Sequence, residues 1–237
     1  MVLNINYLLC MMPAFLLMLL TSWYVKSAYA RWMRVPSRNG ITGYEAARRL
    51  ITRAGLSDIQ IQGVRGNLTD NYDPRRKVLN LSQGVAESPS IAALAVAAHE
   101  LGHAQQDAEG YFPLKFRSAL VPLVNIGSNL GWILIMGGLF LSYLGYAFGV
   151  DVAWLGVAAF AGGAFFALTT LPVELNASRR ARQLLTESGI VLGEEEERGV
   201  RNVLNAAALT YVAGLVTAVL QLLYYASMVM GMGRRRG

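Results

Sequence analysis

Histidine is almost missing from this chain of 237 residues: there are two, His99 and His103. Cysteine occurs once, at Cys10. A single thiol excludes an intrachain disulfide, and its place inside an apolar run far from the histidines excludes it as their metal partner. Charge is also scarce, at 15% Asp, Glu, Lys and Arg, against roughly 25% in soluble domains. With 54% hydrophobic residues, an ordinary soluble domain is excluded. No internal repeat and no low-complexity linker stands out. The basic residues flank apolar runs and are not interleaved with aromatics on one face, so a nucleic-acid-binding protein is not expected.

What the chain does contain is long apolar stretches. About 20 apolar residues cross a bilayer as a helix, which predicts four spans, at 5–25, 120–148, 152–171 and 207–230. The first run is too long for a signal-peptide core and no basic segment precedes it. Lys26, Arg31, Arg34 and Arg38 follow it instead, so a retained anchor is expected despite the small residues Ser27-Ala28-Tyr29-Ala30. Lysine and arginine collect on the cytoplasmic side of membrane proteins. Thirteen lie between Lys26 and Arg117, five between Arg179 and Arg201, and three at 234–236. The first two groups are separated by two spans and share a side, which places 26–119 and 172–206 in the cytoplasm and the amino terminus outside. The three terminal arginines then sit on the opposite face, outvoted by the other eighteen. The pI near 9.6 follows from this topology, and the juxtamembrane cations suit anionic lipid heads.

Local patterns fill in the polar regions. Thr42-Gly43-Tyr44-Glu45 has capping-box spacing, followed by Ala46, Ala47, Leu50, Ile51 and Ala54 at helical intervals and a stop at Gly55. Ile59, Ile61 and Val64, and then Lys77 to Leu81, read as short strands; Asp70-Asn71-Tyr72-Asp73-Pro74 between them reads as a turn. An exposed edge of such a sheet can pair with an extended peptide, or can simply pack. Ser88-Pro89-Ser90 opens a helix with proline in its first turn, whose apolar face is Ile91, Leu94, Ala95 and Ala98. Pro172 is expected to start a separate polar helix ending at Ser188-Gly189, and Glu194 to Glu197 to form a solvated first turn beyond it. Gly127-x-x-x-Gly131 and Gly145-x-x-x-Gly149 are candidate close-packing faces.

The chemistry lies in His99-Glu100-Leu101-Gly102-His103. Residues four apart stack on one helix face, so both imidazoles can reach one ion, and the intervening carboxylate stands one water away. A catalytic zinc takes three protein ligands and keeps one open position. The third ligand must here be a carboxylate. Candidates are Asp107, Glu109, Glu174, Glu187 and the acidic cluster at 194–197. Asp107 and Glu109 are too close to the histidines along the same helix to complete the tetrahedron. Glu174, at the mouth of a span, is the choice. Zinc acidifies its bound water to a pKa of about 7, and Glu100 would then serve as general base. A donor for the oxyanion is needed, and with no histidine left the candidates are Arg179, Arg180 and Tyr111. Asp107, one turn past His103, is a candidate for orienting that imidazole.

Four stretches, in order, resemble the bacterial neutral zinc metallopeptidases of the membrane: Thr69 to Arg75, Ala97 to Gln105, Leu171 to Ala181, and Ala206 to Val212. A more distant similarity is to the heat-shock membrane proteases and the prenyl-protein endopeptidases, where a later Glu-x-x-x-Asp helix supplies the third ligand. That resemblance implies Glu174 as ligand. It also implies that Ser178, standing where the aspartate would be, or Asn176, offers the hydrogen bond to a ligand histidine. The expectation is a mostly α-helical membrane protein with about four transmembrane helices and a cytoplasmic zincin-like region containing a small β-sheet. Its divisions are an anchor at 1–25, a catalytic region at 26–119, a helix pair at 120–171, ligand-bearing helices at 172–206, and a last span with basic tail at 207–237. The resemblance implies zinc-dependent endopeptidase activity in the bacterial inner membrane, with the bilayer and a polypeptide substrate as partners. The alternative is a scaffold or chaperone-like membrane protein whose metal is structural or absent.

Overall fold

The computed structural model describes residues 5–233; the terminal arginines at 234–236 lie outside them. In chain order the elements are α1 (Ile5–Met33), α2 (Gly43–Arg53), β1 (Gln60–Val64), β2 (Asn71–Asp73), β3 (Val78–Ser82), α3 (Gln83–Ala86), α4 (Ile91–Ala108), α5 (Phe112–Tyr143), α6 (Gly149–Glu187) and α7 (Gly193–Gly233). The chain divides into two compact units, one of residues 5–20, 116–171 and 211–233, the other of residues 21–115 and 172–210.

Among the described residues, four helices are long and apolar enough to cross a membrane: α1, α5, α6 and α7. Their number matches the expectation, and α1, α6 and α7 run on as helix past the expected spans into polar sequence. The helix begun at Ile5 continues to Met33, eight residues past the expected end of the anchor. The separate polar helix expected from Pro172 is the second half of α6, which runs through that proline without a break. The acidic turn at 194 and the last apolar run are likewise one helix, α7. Hydropathy marks where a helix stops being apolar, and a helix does not stop there unless its backbone bonding is interrupted. In the apolar unit, α5 and α6 approach through small residues. A β-carbon on Gly131 would lie 2.9 Å from the Gly156 carbonyl oxygen, and one on Gly156 2.7 Å from the Gly131 oxygen. The Gly127/Gly131 face therefore packs as expected. In the second motif Gly149 does so against Ser142 and Gly138, whereas Gly145 has nothing near it and takes a positive φ of 99°.

The other unit holds a three-stranded sheet in the order β1-β3-β2, with β1 parallel and β2 antiparallel to β3. The segment read as a turn, 70–74, contains β2, and the true turn follows it. Asp73 Oδ1 there accepts from the amides of Arg75 (2.9 Å) and Arg76 (3.3 Å), and Lys77 takes a positive φ of 54°. A three-residue polar strand has no alternation to betray it; pairing with β3 makes it a strand.

Thr42 and Glu45 form the expected capping box, the Glu45 amide donating to Thr42 Oγ1 (3.2 Å) and the Thr42 amide to Glu45 Oε2 (2.8 Å). Ala46, Ala47, Leu50 and Ile51 then turn inward against α4. Ser90 caps α4 through the Ala93 amide at 3.2 Å, so Pro89 precedes the cap and is not in the first turn. Far from showing one apolar face, α4 buries Ile91 to Ala95, Ala97, Ala98, Leu101, Gly102, Ala104 and Gln106. Its alanines leave no bulk, which lets α2, α3, β3 and the polar half of α6 surround it.

Candidate metal centre

The site is built where α4 crosses the polar half of α6. His99, Gly102, His103 and Gln106 share one face of α4, and Glu174, Ala177 and Ser178 one face of α6, by the three- and four-residue helical spacing. The contact is set by Gly102. A β-carbon there would lie 2.5 Å from the Ala177 carbonyl oxygen and 3.1 Å from its Cα, both main-chain atoms. Glycine at this place in the motif is thus a packing requirement that lets the ligand helices touch. Gly102→Ala is expected to force the helices apart at a cost of about 1–3 kcal/mol, lowering both the melting temperature and zinc affinity; calorimetry and zinc titration of the purified variant check this.

The two imidazoles stand 4.9 Å apart, centroid to centroid, at 85° to each other. Both Nε2 atoms converge on Glu174 Oε2, at 3.3 Å from His99 and 3.4 Å from His103. Glu174 is 2% exposed, a carboxylate drawn out of water toward two rings. Each ring is held from behind through Nδ1. His99 Nδ1 lies 3.2 Å from Ser178 Oγ. His103 Nδ1 lies 3.0 Å from Gln106 Oε1, whose own amide donates to Val173 O and Asn176 Oδ1, both at 2.9 Å. Gln106, fully buried, was not among the expected residues. Its spacing of three from His103 put it within reach, but only its burial, which the sequence does not show, makes a partner obligatory. Removing such a supporting group costs 10–100-fold in metal affinity, and that loss is expected for Gln106→Leu in competition with a zinc chelator.

Glu100 lies beside the pair, outside the ligand group. The Tyr72 amide donates to its Oε2 at 3.1 Å. Burial pushes its carboxyl above the usual range; the charges of His99 and His103 oppose that rise, while those of Glu174 and Asp70 add to it. Asp107 does not orient His103. Its Oδ2 accepts instead from Lys77 Nζ (2.7 Å) and the Tyr72 hydroxyl (2.8 Å), because Gln106 already occupies His103 Nδ1.

Of the candidate oxyanion donors, Arg180 is engaged by other groups. Arg180 Nε donates to Asn176 Oδ1 (2.8 Å), its two terminal nitrogens grip Glu109 (2.6 and 2.7 Å), and its guanidinium lies 5.8 Å from the Tyr111 ring centre. Asn176 therefore acts on His103 indirectly, through Gln106. Arg179 is exposed. Glu109 is held below the usual carboxylate range by Arg180, and Glu187 is exposed. Glu196, expected in a solvated turn, is buried and accepts from the amides of Arg38 (2.6 Å) and Leu192 (2.5 Å).

Two imidazoles and one carboxylate are the donor set of a catalytic zinc. A tetrahedral ion with bonds of about 2.0–2.1 Å separates its ligand atoms by about 3.3 Å, which matches the 3.3 and 3.4 Å found here. Among the described residues, no fourth histidine, cysteine or carboxylate joins the group of His99, His103 and Glu174.

Residues 7–230 match the family described as "Putative neutral zinc metallopeptidase". The chain is 43% identical over 201 residues to "Putative membrane protease YugP" of Bacillus subtilis (strain 168), covering 85% of this chain and 86% of that protein. No solved structure matches it. With the match running through all four apolar helices as well as the histidine helix, this membrane protein belongs to that family.

Proposed function

We propose that this protein is an integral-membrane zinc endopeptidase of the bacterial inner membrane, with its active site on the cytoplasmic face, cleaving membrane or membrane-proximal polypeptides. One observation carries the reading: two Nε2 atoms each lie at tetrahedral ligand spacing from one buried carboxylate oxygen, with Glu100 close enough to feel the charge of all three groups. Zinc held there would polarise the scissile carbonyl and lower the pKa of its water to about 7. Glu100 would accept a proton from that water and pass it to the leaving amine nitrogen. Ser178 and Gln106, at Nδ1, keep each ring turned so that Nε2 points toward Glu174 Oε2, where the ion would be held.

The cytoplasmic side is supported by the eighteen lysines and arginines that flank one side of the predicted spans. Action close to the membrane is supported by the four apolar helices. Gln105, Gln106 and Asp107, two to four residues past His103, argue against cleavage within the lipid core. The test is to purify the protein in detergent, measure its metal, and follow cleavage of an unfolded membrane protein with and without chelator. Stoichiometric zinc and cleavage that stops on chelation and returns with zinc are expected. Zinc-loaded protein that cleaves nothing would favour the scaffold reading.

A further inference from the structure

The segment from Thr69 to Arg75 lies against the histidine helix, yet contributes no ligand and no general base. Its side chains are nearly all used in holding its own main chain still. Asp70 accepts from the Ser82 amide (2.7 Å) and from the Ser82 hydroxyl (3.0 Å to each oxygen). Asn71 Oδ1 accepts from Asn80 Nδ2 at 2.9 Å, and Asp73 closes the turn into β3. Between them, Tyr72 sits opposite Leu79 in the antiparallel register. Alternate residues of such a pair direct their main-chain groups away from the partner strand, and the Tyr72 N–H so directed meets Glu100 Oε2. The Tyr72 hydroxyl reaches back to α4 at Asp107, and Lys77, at the start of β3, closes the loop on the same oxygen. Strand and helix are thus joined twice, once by the Tyr72 amide at Glu100 and once by its phenol at Asp107, two turns further along α4.

We propose that Tyr72 is the positioning residue for the general base: its amide aims the Glu100 carboxylate, and its phenol, tethered by Asp107 and Lys77, fixes that amide. The proposal rests on the peptidase reading of Glu100 but concerns an anchorage that exists whether or not the protein cleaves peptides. A carboxylate shared between one fixed amide and a water keeps one oxygen oriented and leaves the other for proton transfer. Misplacement of a reacting group by about 1 Å can cost about 100-fold in rate. The same use of the outward N–H means that the edge of β2 offers an incoming peptide the Tyr72 carbonyl but not its amide.

Full-length protein in detergent, with zinc content confirmed, is compared with Tyr72→Phe, Asp107→Ala and Lys77→Met. In each variant kcat is expected to fall at least tenfold while KM and bound zinc hold, and Lys77→Arg is expected to restore most of the rate. Combined with Glu100→Gln, Tyr72→Phe is expected to have no further effect on the residual rate. Hydrogen–deuterium exchange over residues 70–76 provides a readout free of activity. The Tyr72 amide is expected to exchange slowly in the native protein and at least tenfold faster in Glu100→Ala, Tyr72→Phe and Asp107→Ala. Native exchange and native kcat in Tyr72→Phe and Lys77→Met would overturn the proposal. A protein without hydrolysis, but with slow Tyr72 exchange released by these substitutions, would refute the peptidase reading and leave the anchorage standing.

Discussion

Glu174→Ala is expected to lose bound zinc and hydrolysis together. Two imidazoles on one helix hold a divalent ion weakly unless a third donor arrives from elsewhere, and Glu174 Oε2 is the carboxylate oxygen that both Nε2 atoms face. Its burial sharpens the effect. An alanine leaves an apolar wall where a charge stood, and the neighbouring carboxylates, Asp107 and Glu109, are held by Lys77 and Arg180. A ligand that binds only the folded state raises stability in proportion to the logarithm of its excess over Kd, about 4 kcal/mol at 1,000-fold. Zinc should therefore raise the melting temperature of the native protein and leave that of Glu174→Ala unchanged. Measurement requires metal analysis after dialysis, a thermal melt with and without zinc, and a cleavage assay. Full metal content with full activity in this variant would remove Glu174 from the ligand set and with it the proposed reaction.

Glu100→Gln separates chemistry from binding. Glutamine preserves the shape and can still accept from the Tyr72 amide through its carbonyl oxygen, and the three ligands are untouched. What it cannot do is take a proton at neutral pH. Loss of a positioned general base costs roughly 10²–10⁴-fold, so the variant should keep its zinc and its melting temperature while kcat falls by that factor. His103→Ala offers the contrast, since it should lose metal and activity at once. If Glu100→Gln cleaved at the native rate, the proton acceptor would be another group.

Much of this protein could be read without coordinates. Four apolar stretches long enough to cross a bilayer, a capping box at Thr42, and two histidines one helical turn apart are all local patterns, written within about twenty consecutive residues each. Glu174 is different. It stands seventy-five positions past His99, and its choice rested on its place at the mouth of a span and on a resemblance. The contact that makes it a ligand candidate depends on Gly102 allowing α4 to meet the Ala177 main chain.

What no local pattern carried was partnership between distant polar groups. Gln106, Tyr72 and Lys77 look like ordinary residues of a helix, a turn and a strand. Asp107, on the correct face for His103, was a candidate partner by spacing, but the ring nitrogen is taken by Gln106 and the aspartate by Lys77 and Tyr72. Hydrophobic period and helical spacing are properties of one segment, so they survive in a linear reading. Hydrogen bonds between segments depend on which partners the packed elements bring within reach of each group, and that competition is resolved when α4, α6 and the sheet close around one another.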